Sequence, residues 1–565
     1  MRSLDAITME PAYRDEEVPA ILHYLDDVYE RSLKVLSGKL NHLHGMDHDE
    51  RYWRILTGTW LKQHIHMLYD RYLHVSAALS SYPDLTTVYL DESSFQTPGT
   101  TIDYIELLKG DLYNLQIFTK IMRRLNREFP KLKADLNRYV YSQVSVHKPP
   151  LNRALTFFKK QLASRISAIG PMKRKIVYHN AYFPRDVQIL LLLKTKLRLS
   201  PFYYPNVDFR DTPCSRGMRD VLKDLSFGEN EFEKMLFNFI SEEIPLVFVE
   251  KYRQTAEEID RLYPFDPKAV MSATSWHYND FFKLWAASRS EKGALLVGLQ
   301  HGGGYGILDY WLQERQELAV VDRYYSWGWS RDTGGIRARV KPLTPTKLVG
   351  RRRRSGSLKT RNILYDLTTW SRYLVQFPVT TDYWRLYYLD IAVFSNALSE
   401  KVIPHLILRP HREDMGWELV RRLEDIFPPG VRIETWDVPF IESLESSSLF
   451  LCGHPTYCTT FIEALQIDKP TILFYDPHAS ANALTPEARE SFTLLSRAGI
   501  LFENPLDAAK QVNSVHEHVD EWWAEKECRG AVAGFLEGFA RVSKSGMDEW
   551  IRELEDISNS RHVFR

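Results

Sequence analysis

The stretch ALLVGLQHGGGYG at 294–306 joins groups that can do chemistry to backbone that can reach a ligand. Ala294, Leu295, Leu296, Val297 and Leu299, broken only by Gly298, predict a buried strand. That strand delivers Gln300, His301, Gly302, Gly303, Gly304, Tyr305 and Gly306 at its carboxyl end, the usual ligand crevice of an open α/β sheet. Consecutive glycines permit positive φ and remove every Cβ, so backbone N–H groups can come close to an anion or a sugar. An imidazole with an ordinary pKa near 6.5 is well matched to taking a proton from a hydroxyl near neutral pH. His301 is therefore the expected general base, and Glu314 and Asp309, a short way downstream, are the rival bases. Gln300, Gly302, Gly303, Gly304 and Tyr305 are expected to contact substrate. The alternative is a glycine-rich turn whose histidine is merely hydrogen-bonded, or orients a phosphate or one of those carboxylates.

Two further segments carry groups suited to phosphate. Leu408-Arg409-Pro410-His411-Arg412-Glu413-Asp414 reads as a strand ending in Pro-His between two arginines, and guanidinium groups fork onto phosphate oxygens bidentately. In His454-Pro455-Thr456-Tyr457-Cys458-Thr459-Thr460-Phe461-Ile462-Glu463, a strand at 449–452 leads through a loop into a helix that starts near Thr459 and Thr460. Hydroxyls and free N–H groups there would face the crevice with the positive end of the helix dipole behind them. Glu463 can bind a ribose or close a capping box.

Several chemistries lack their usual residues. An HGGG loop supplies oxyanion donors in lipases and esterases, but those enzymes need a serine on a GxSxG elbow, and this chain has none. GxxxxGK[ST] and a helix-opening GxGxxG are missing as well. Lys plus Arg and Asp plus Glu are both 73, so the net charge is zero, which argues against a binder held to nucleic acid by phosphate contacts. No apolar run approaches the roughly eighteen residues of a membrane span, and residues 1–20 lack a signal-peptide core; with four scattered cysteines this reads as a cytoplasmic protein. His42, His44, Asp47, His48, Asp49 and Glu50 fit no zinc spacing and are expected in a solvated loop. No metal site is expected.

The elements that must position these groups form two βα series. Residues 1–50 look polar and irregular, and 52–80 predicts one or two buried helices. Strand patterns at 176–179, 269–275, 294–299 and 323–329 alternate with helical ones, and a second series has strands at 362–366, 405–409, 431–434, 449–452, 471–475 and 500–502. Such alternation implies mostly parallel, helix-covered sheets. The expected fold is α/β, two Rossmann-like domains facing across a cleft with an N-terminal helical elaboration. The expected boundaries are 1–340 for the first domain, 341–360 for a linker containing Arg351–Arg354, 361–545 for the second domain and 546–565 for a tail. The basic amphipathic segment 152–175 can lie on an anionic membrane surface or pack as an ordinary surface helix.

QHGGGYG, the acids Glu314 and Glu317, SWGW at 326–329, RPHRED, and TTFIEAL with DKPTILFYD together resemble a family of transferases encoded in bacterial O-antigen and surface-polysaccharide loci. The early YWRILTGTWLKQHIHMLYDRY is similar to that family's Trp-rich helix, so the likeness runs from about residue 50 to 480. It implies a metal-independent glycosyltransferase of GT-B type, moving a sugar from a nucleotide-activated donor, CMP- or UDP-linked, to an O-antigen or capsule acceptor that is a glycan or lipid-linked glycan. The second-domain pieces are also similar to capsule, teichoic-acid and bacterial sialyltransferase enzymes, in which a His-Pro motif and a Ser/Thr pair hold the nucleotide. On that likeness Arg409, His411, Arg412, His454, Thr459, Thr460 and Glu463 form the nucleotide site, with either His411 or His454 in the histidine role. A polyol-phosphate transferase and a non-catalytic scaffold of polysaccharide assembly are the alternatives. No cofactor beyond the donor is implied, and the expected place is the cytoplasm, possible contact with the inner face of the membrane included.

Overall fold

The computed structural model describes residues 9–134, 175–203, 207–209, 212–224, 226–331, 337–349, 360–477 and 483–559. The basic segment up to residue 174 and the arginine run of the linker lie outside them.

Two six-stranded sheets, parallel throughout, form the scaffold. In the first, β1 (Ile176–His179), β2 (Leu199–Pro201), β3 (Ala269–Ser272), β4 (Leu295–Leu299), β5 (Arg323–Ser326) and β6 (Arg339–Pro342) lie in the order β2-β1-β3-β4-β5-β6. In the second, β7 (Ile363–Asp366), β8 (Leu406–Arg409), β9 (Arg432–Ile433), β10 (Leu449–Cys452), β11 (Thr471–Phe474) and β12 (Leu501–Phe502) lie in the order β9-β8-β7-β10-β11-β12. Every residue of β3, β8, β10 and β11 is buried; sheets covered by helices on both faces favour such near-continuous apolar runs. Strand order reverses between β1 and β3 in one sheet and between β7 and β10 in the other, and ligand crevices open at the carboxyl ends of such switch points.

The N-terminal region departs from expectation. The expected irregular segment up to residue 50 is mostly helical where it is described: Val18–His44 forms one helix, α1, with Leu25, Val28, Tyr29, Leu33, Leu36 and Leu40 buried at helical spacing, ended by Gly45 at φ +64°. The helix α2 (Glu50–Ser81) starts where the Asp49 carboxylate accepts the Tyr52 N–H at 2.7 Å. Trp53, Trp60 and most of the helix are buried, because α1 packs on one side and α3 (Asp280–Glu291) and α4 (Leu312–Val320) on others. The histidine-rich junction is a solvated loop only in part: His42, Asp47, Asp49 and Glu50 are exposed, whereas His44 is buried. His44 Nε2 bonds Phe248 O at 2.9 Å, and His48 pairs with Glu291 at 2.9 Å while stacking on Tyr52.

The chain also crosses back. The helix α6 (Gly546–Asn559) seats Trp550, Leu554 and Ile557 in the core of the first sheet, and Trp550 Nε1 donates to Thr344 O at 2.8 Å. The region expected as a tail is thus part of the first domain, and the first sheet extends to Pro342. Among the described residues no helix is long and apolar enough to cross a membrane.

Candidate active site

His301 leaves β4 with one edge of its ring turned into the protein. Its Nε2 lies 2.9 Å from Glu317 Oε1, and His277 Nε2 lies 2.6 Å from the same oxygen. Glu317 belongs to α4, whose path places it beneath the loop after β4, and both Glu317 and His277 are fully buried. Burial pushes the Glu317 carboxyl up, but His301 and His277 beside it outweigh burial and hold it below the ordinary range. Burial drives the His277 pKa down. A carboxylate oxygen only accepts, so both imidazoles donate Nε2–H to it. Tyr305 Oη, 2.7 Å from His301 Nε2, donates to Glu317 Oε1 at 3.2 Å and closes the cluster. His301 Nδ1, at the other side of the ring, is left as a lone pair with no partner among the described residues. A base whose proton-bearing nitrogen is fixed by a buried carboxylate is the generalised logic of catalytic His–acid pairs.

The glycine run meets the other domain. Gly302, Gly303 and Gly304 do not take positive φ; in this run only Gly306 does, at +72°. A Cβ on Gly303 would lie 2.0 Å from Cys458 O, and the Gly303 N–H donates to Thr459 Oγ1 at 3.1 Å. The missing side chain thus makes room for backbone of the second domain. Thr485 Oγ1 donates to Gly306 O at 2.8 Å, and Asp309 N–H to Ala483 O at 2.9 Å. The carboxyl edges of the two sheets therefore meet at the candidate site.

Several expected residues face elsewhere. Gln300 accepts from Trp327 N–H and Trp329 Nε1–H, both at 2.8 Å, and donates to Gly302 O at 3.0 Å, so this buried side chain shapes the loop. Tyr305 is buried and committed to His301 and Glu317. Glu314 is buried, accepts the Gly306 N–H at 2.6 Å, and is raised by burial to about 7; its partners are that backbone and Arg331, not His301. Asp309 is exposed at the contact with Ala483. The carboxylate that partners His301 is Glu317, one helical turn past Glu314.

In the second domain, Asp366 ends β7 at the switch point, and Thr460 Oγ1 donates to its Oδ2 at 2.6 Å. Burial raises Asp366 to about 6. The helix α5 (Thr460–Gln466) has no side-chain cap from Thr459, because that hydroxyl receives the Gly303 N–H. Glu463 closes no capping box and faces Lys347 across the domains at 3.5 Å. Arg409, expected on phosphate, is 1% exposed and bonded to Glu434, to Ser443 Oγ at 3.0 Å and to Val438 O at 3.0 Å, beneath Trp436. It is a structural arginine. His454 is also a core residue, bonded to Tyr383 Oη, packed against Trp384, Tyr387 and Tyr457, and lowered by burial to about 3. His411 remains half-buried at the end of β8 near Trp436, and Arg412 is exposed. Of the two histidines, only His411 is partly exposed, and its Nδ1 accepts the Glu413 N–H at 3.1 Å.

A family model matches residues 4–554, and its description is LIC12162 family transferase. The chain belongs to this family. No curated protein matches it. The structure of Acinetobacter baumannii MurG aligns at 11% identity and TM-score 0.30, covering 67% of this chain and 99% of that one. A complex of a Polygonum tinctorium UDP-glucosyltransferase with 3,4-dichloroaniline aligns at 10% identity and TM-score 0.32, covering 71% and 95%. The two-sheet topology itself defines the fold.

In this LIC12162 family transferase, His277, His301 and Glu317 are the described residues whose ligand atoms converge enough to hold a metal ion, within 4.8 Å of one another. The separations of 2.6 and 2.9 Å are hydrogen-bond distances. Ligation through His277 Nε2 would leave its Nδ1, which has no partner, buried as an unsatisfied N–H. The group fits proton-holding better than ion-holding. His277, Asp366 and Lys347 were not identified from the sequence as site residues, and Glu317 entered only as one acid of the motif that carries the resemblance. Asp366 could have been found as an acid at a strand's carboxyl end; His277 and Lys347 had no local signal.

Proposed function

We propose that this transferase moves a glycosyl group from a nucleotide-activated donor to a hydroxyl of a surface-polysaccharide acceptor, of the O-antigen or capsule class, free or lipid-linked, working in the cytoplasm or at the inner face of the membrane. The observation that carries the reading is His301, with Nε2–H fixed on Glu317 and Nδ1 unpartnered where the carboxyl edges of two parallel sheets meet. In the reaction His301 Nδ1 takes the acceptor hydroxyl proton as that oxygen bonds the anomeric carbon, and the bond from that carbon to the donor phosphate breaks. The imidazolium so formed is stabilised by Glu317. In this reading Lys347, the Thr459 hydroxyl and the N-terminus of α5 meet the phosphate; Thr459 Oγ1 accepts the Gly303 N–H and keeps its own O–H to donate. The α5 dipole and Lys347 offset the charge of the leaving phosphate.

The test starts with a thermal-shift screen against CMP, UDP, GDP, CDP and dTDP, since a ligand at one hundred times its Kd stabilises by about 2.7 kcal/mol. With the nucleotide so identified, turnover of His301→Ala is expected to fall by roughly a hundredfold or more with nucleotide affinity nearly unchanged. No shift with any nucleotide would overturn the donor, and unchanged turnover would overturn the base.

A further inference from the structure

The first sheet reverses its order between β1 and β3, and of the groups in the reaction scheme above His301 and the Lys347 ammonium come near it. Open parallel sheets bind ligands at such points. The residues standing at this one are aromatic and exposed: Tyr182, just after β1, is 43% exposed, and Tyr278, six residues after β3, is 37% exposed.

The backbone holds Tyr182 there against its own preference. Asn180 at φ +45° and Tyr182 at φ +60° are both left-handed without being glycine, a conformation that persists where the surroundings impose it and that gathers at ligand sites. The surroundings that impose it come from the other side of the switch point. His179 Nδ1 bonds Ser275 Oγ at 2.6 Å, and Asn180 Nδ2 donates to Thr274 Oγ1 at 3.3 Å. The next residue, Phe183, is buried against Trp550, so the turn sends one ring into the core and the other into the crevice. The Tyr182 ring lies nearly parallel to the His301 imidazole, at 21° and 6.4 Å between centroids, and the Lys347 ammonium stands 4.9 Å from the Tyr182 centroid.

We infer that Tyr182, with Tyr278 beside it, is a pyranose-binding platform that lays the C–H face of the acceptor sugar beside His301. A flat apolar ring with a negative face suits the polarised C–H face of a pyranose. The platform deepens the glycosyl-transfer reading and rests on it for the word acceptor.

Saturation-transfer NMR on the full chain, with the methyl glycosides of glucose, galactose, mannose and N-acetylglucosamine as probes, tests the platform. At least one glycoside should receive saturation on its ring C–H protons from the parent and from Tyr182→Phe, and lose it several-fold in Tyr182→Ala. Tyr182→Gly, which relieves the left-handed strain, should lose the signal while melting no lower than the parent, separating a lost platform from a lost fold. Equal saturation in Tyr182→Ala, or none in the parent, overturns the platform. The nucleotide screen is run on the same variants: a shift kept in Tyr182→Ala while the sugar signal falls is the expected result. A sugar signal that depends on Tyr182 without any nucleotide shift would overturn glycosyl transfer and leave a sugar-binding site.

Discussion

Gly303→Ala puts a methyl group where the two domains touch. The added carbon would lie 2.0 Å from Cys458 O, 2.8 Å from Cys458 C and 3.1 Å from Thr459 Cα, all main-chain atoms that no rotamer change can move. Contact at an ordinary distance requires the strands to part by about 1 Å or more. Separation on that scale also stretches the 3.1 Å bond from Gly303 N–H to Thr459 Oγ1. Overpacking costs about 1–3 kcal/mol, and a neutral hydrogen bond contributes about 0.5–1.5 kcal/mol. The variant should therefore weaken the contact by about 1.5–4.5 kcal/mol, roughly 10- to 2,000-fold in its equilibrium constant. Gly303 has no positive φ, so alanine brings no backbone strain of its own. Hydrogen exchange of the amides at 301–306 and 458–462 is the assay, with Gly302→Ala as the control, since its new methyl would meet the Tyr305 ring edge at 3.3 Å and stand an ordinary 4.0 Å from Thr459 Oγ1. Exchange in Gly303→Ala as slow as in the parent, or equal acceleration in the Gly302→Ala control, would refute the claim that the glycine exists for the domain contact.

Three further outcomes are expected. Glu314 is raised from 4.5 to about 7, so the folded chain holds this proton more tightly than the unfolded one; its contribution is complete below the unfolded pKa near 4.5, is lost as pH rises through 7, and amounts to at most about 3 kcal/mol. Glu314→Gln should flatten the fall in melting temperature between pH 4.5 and 7.5, and an unchanged slope would place that titration elsewhere. Asp366, raised to about 6, is a carboxylate beside the proposed phosphate seat above that pH, so Asp366→Asn should tighten nucleotide binding by about tenfold at pH 8 and little at pH 5; calorimetry showing weaker binding at pH 8 would make Asp366 a ligand contact instead. Glu317→Gln removes the charge that fixes His301, and turnover should fall by about a hundredfold with nucleotide affinity kept; turnover equal to the parent's would mean that His301 needs no carboxylate partner.

The order of strands and helices could be read along the chain because buried parallel strands need near-continuous apolar runs, and 295–299, 363–365, 406–408, 449–452 and 472–474 are such runs. The placing of His301 at a carboxyl strand end followed from the same pattern. The helix α1 was equally visible in the spacing of Leu25, Val28, Leu33, Leu36 and Leu40, and was missed because the charged face of an amphipathic helix gives the segment a polar composition.

Hydrogen-bond partners were decided only by the tertiary structure. Whether Arg409 meets a phosphate or Glu434, and whether the Thr459 hydroxyl faces a ligand or the Gly303 N–H, depends on groups 25 and 156 residues away. A glycine run looks the same whether it makes room for a ligand or for another domain. Glu314 and Glu317 are both acids downstream of His301, and only the docking of α4 under the loop after β4 turns one toward Gly306 and the other toward His301. Apolar patterning is local, because each residue is in or out of water on its own element. The choice of partner for a buried polar group is not local, because it is settled by whichever donors and acceptors the packed domains bring within hydrogen-bond reach.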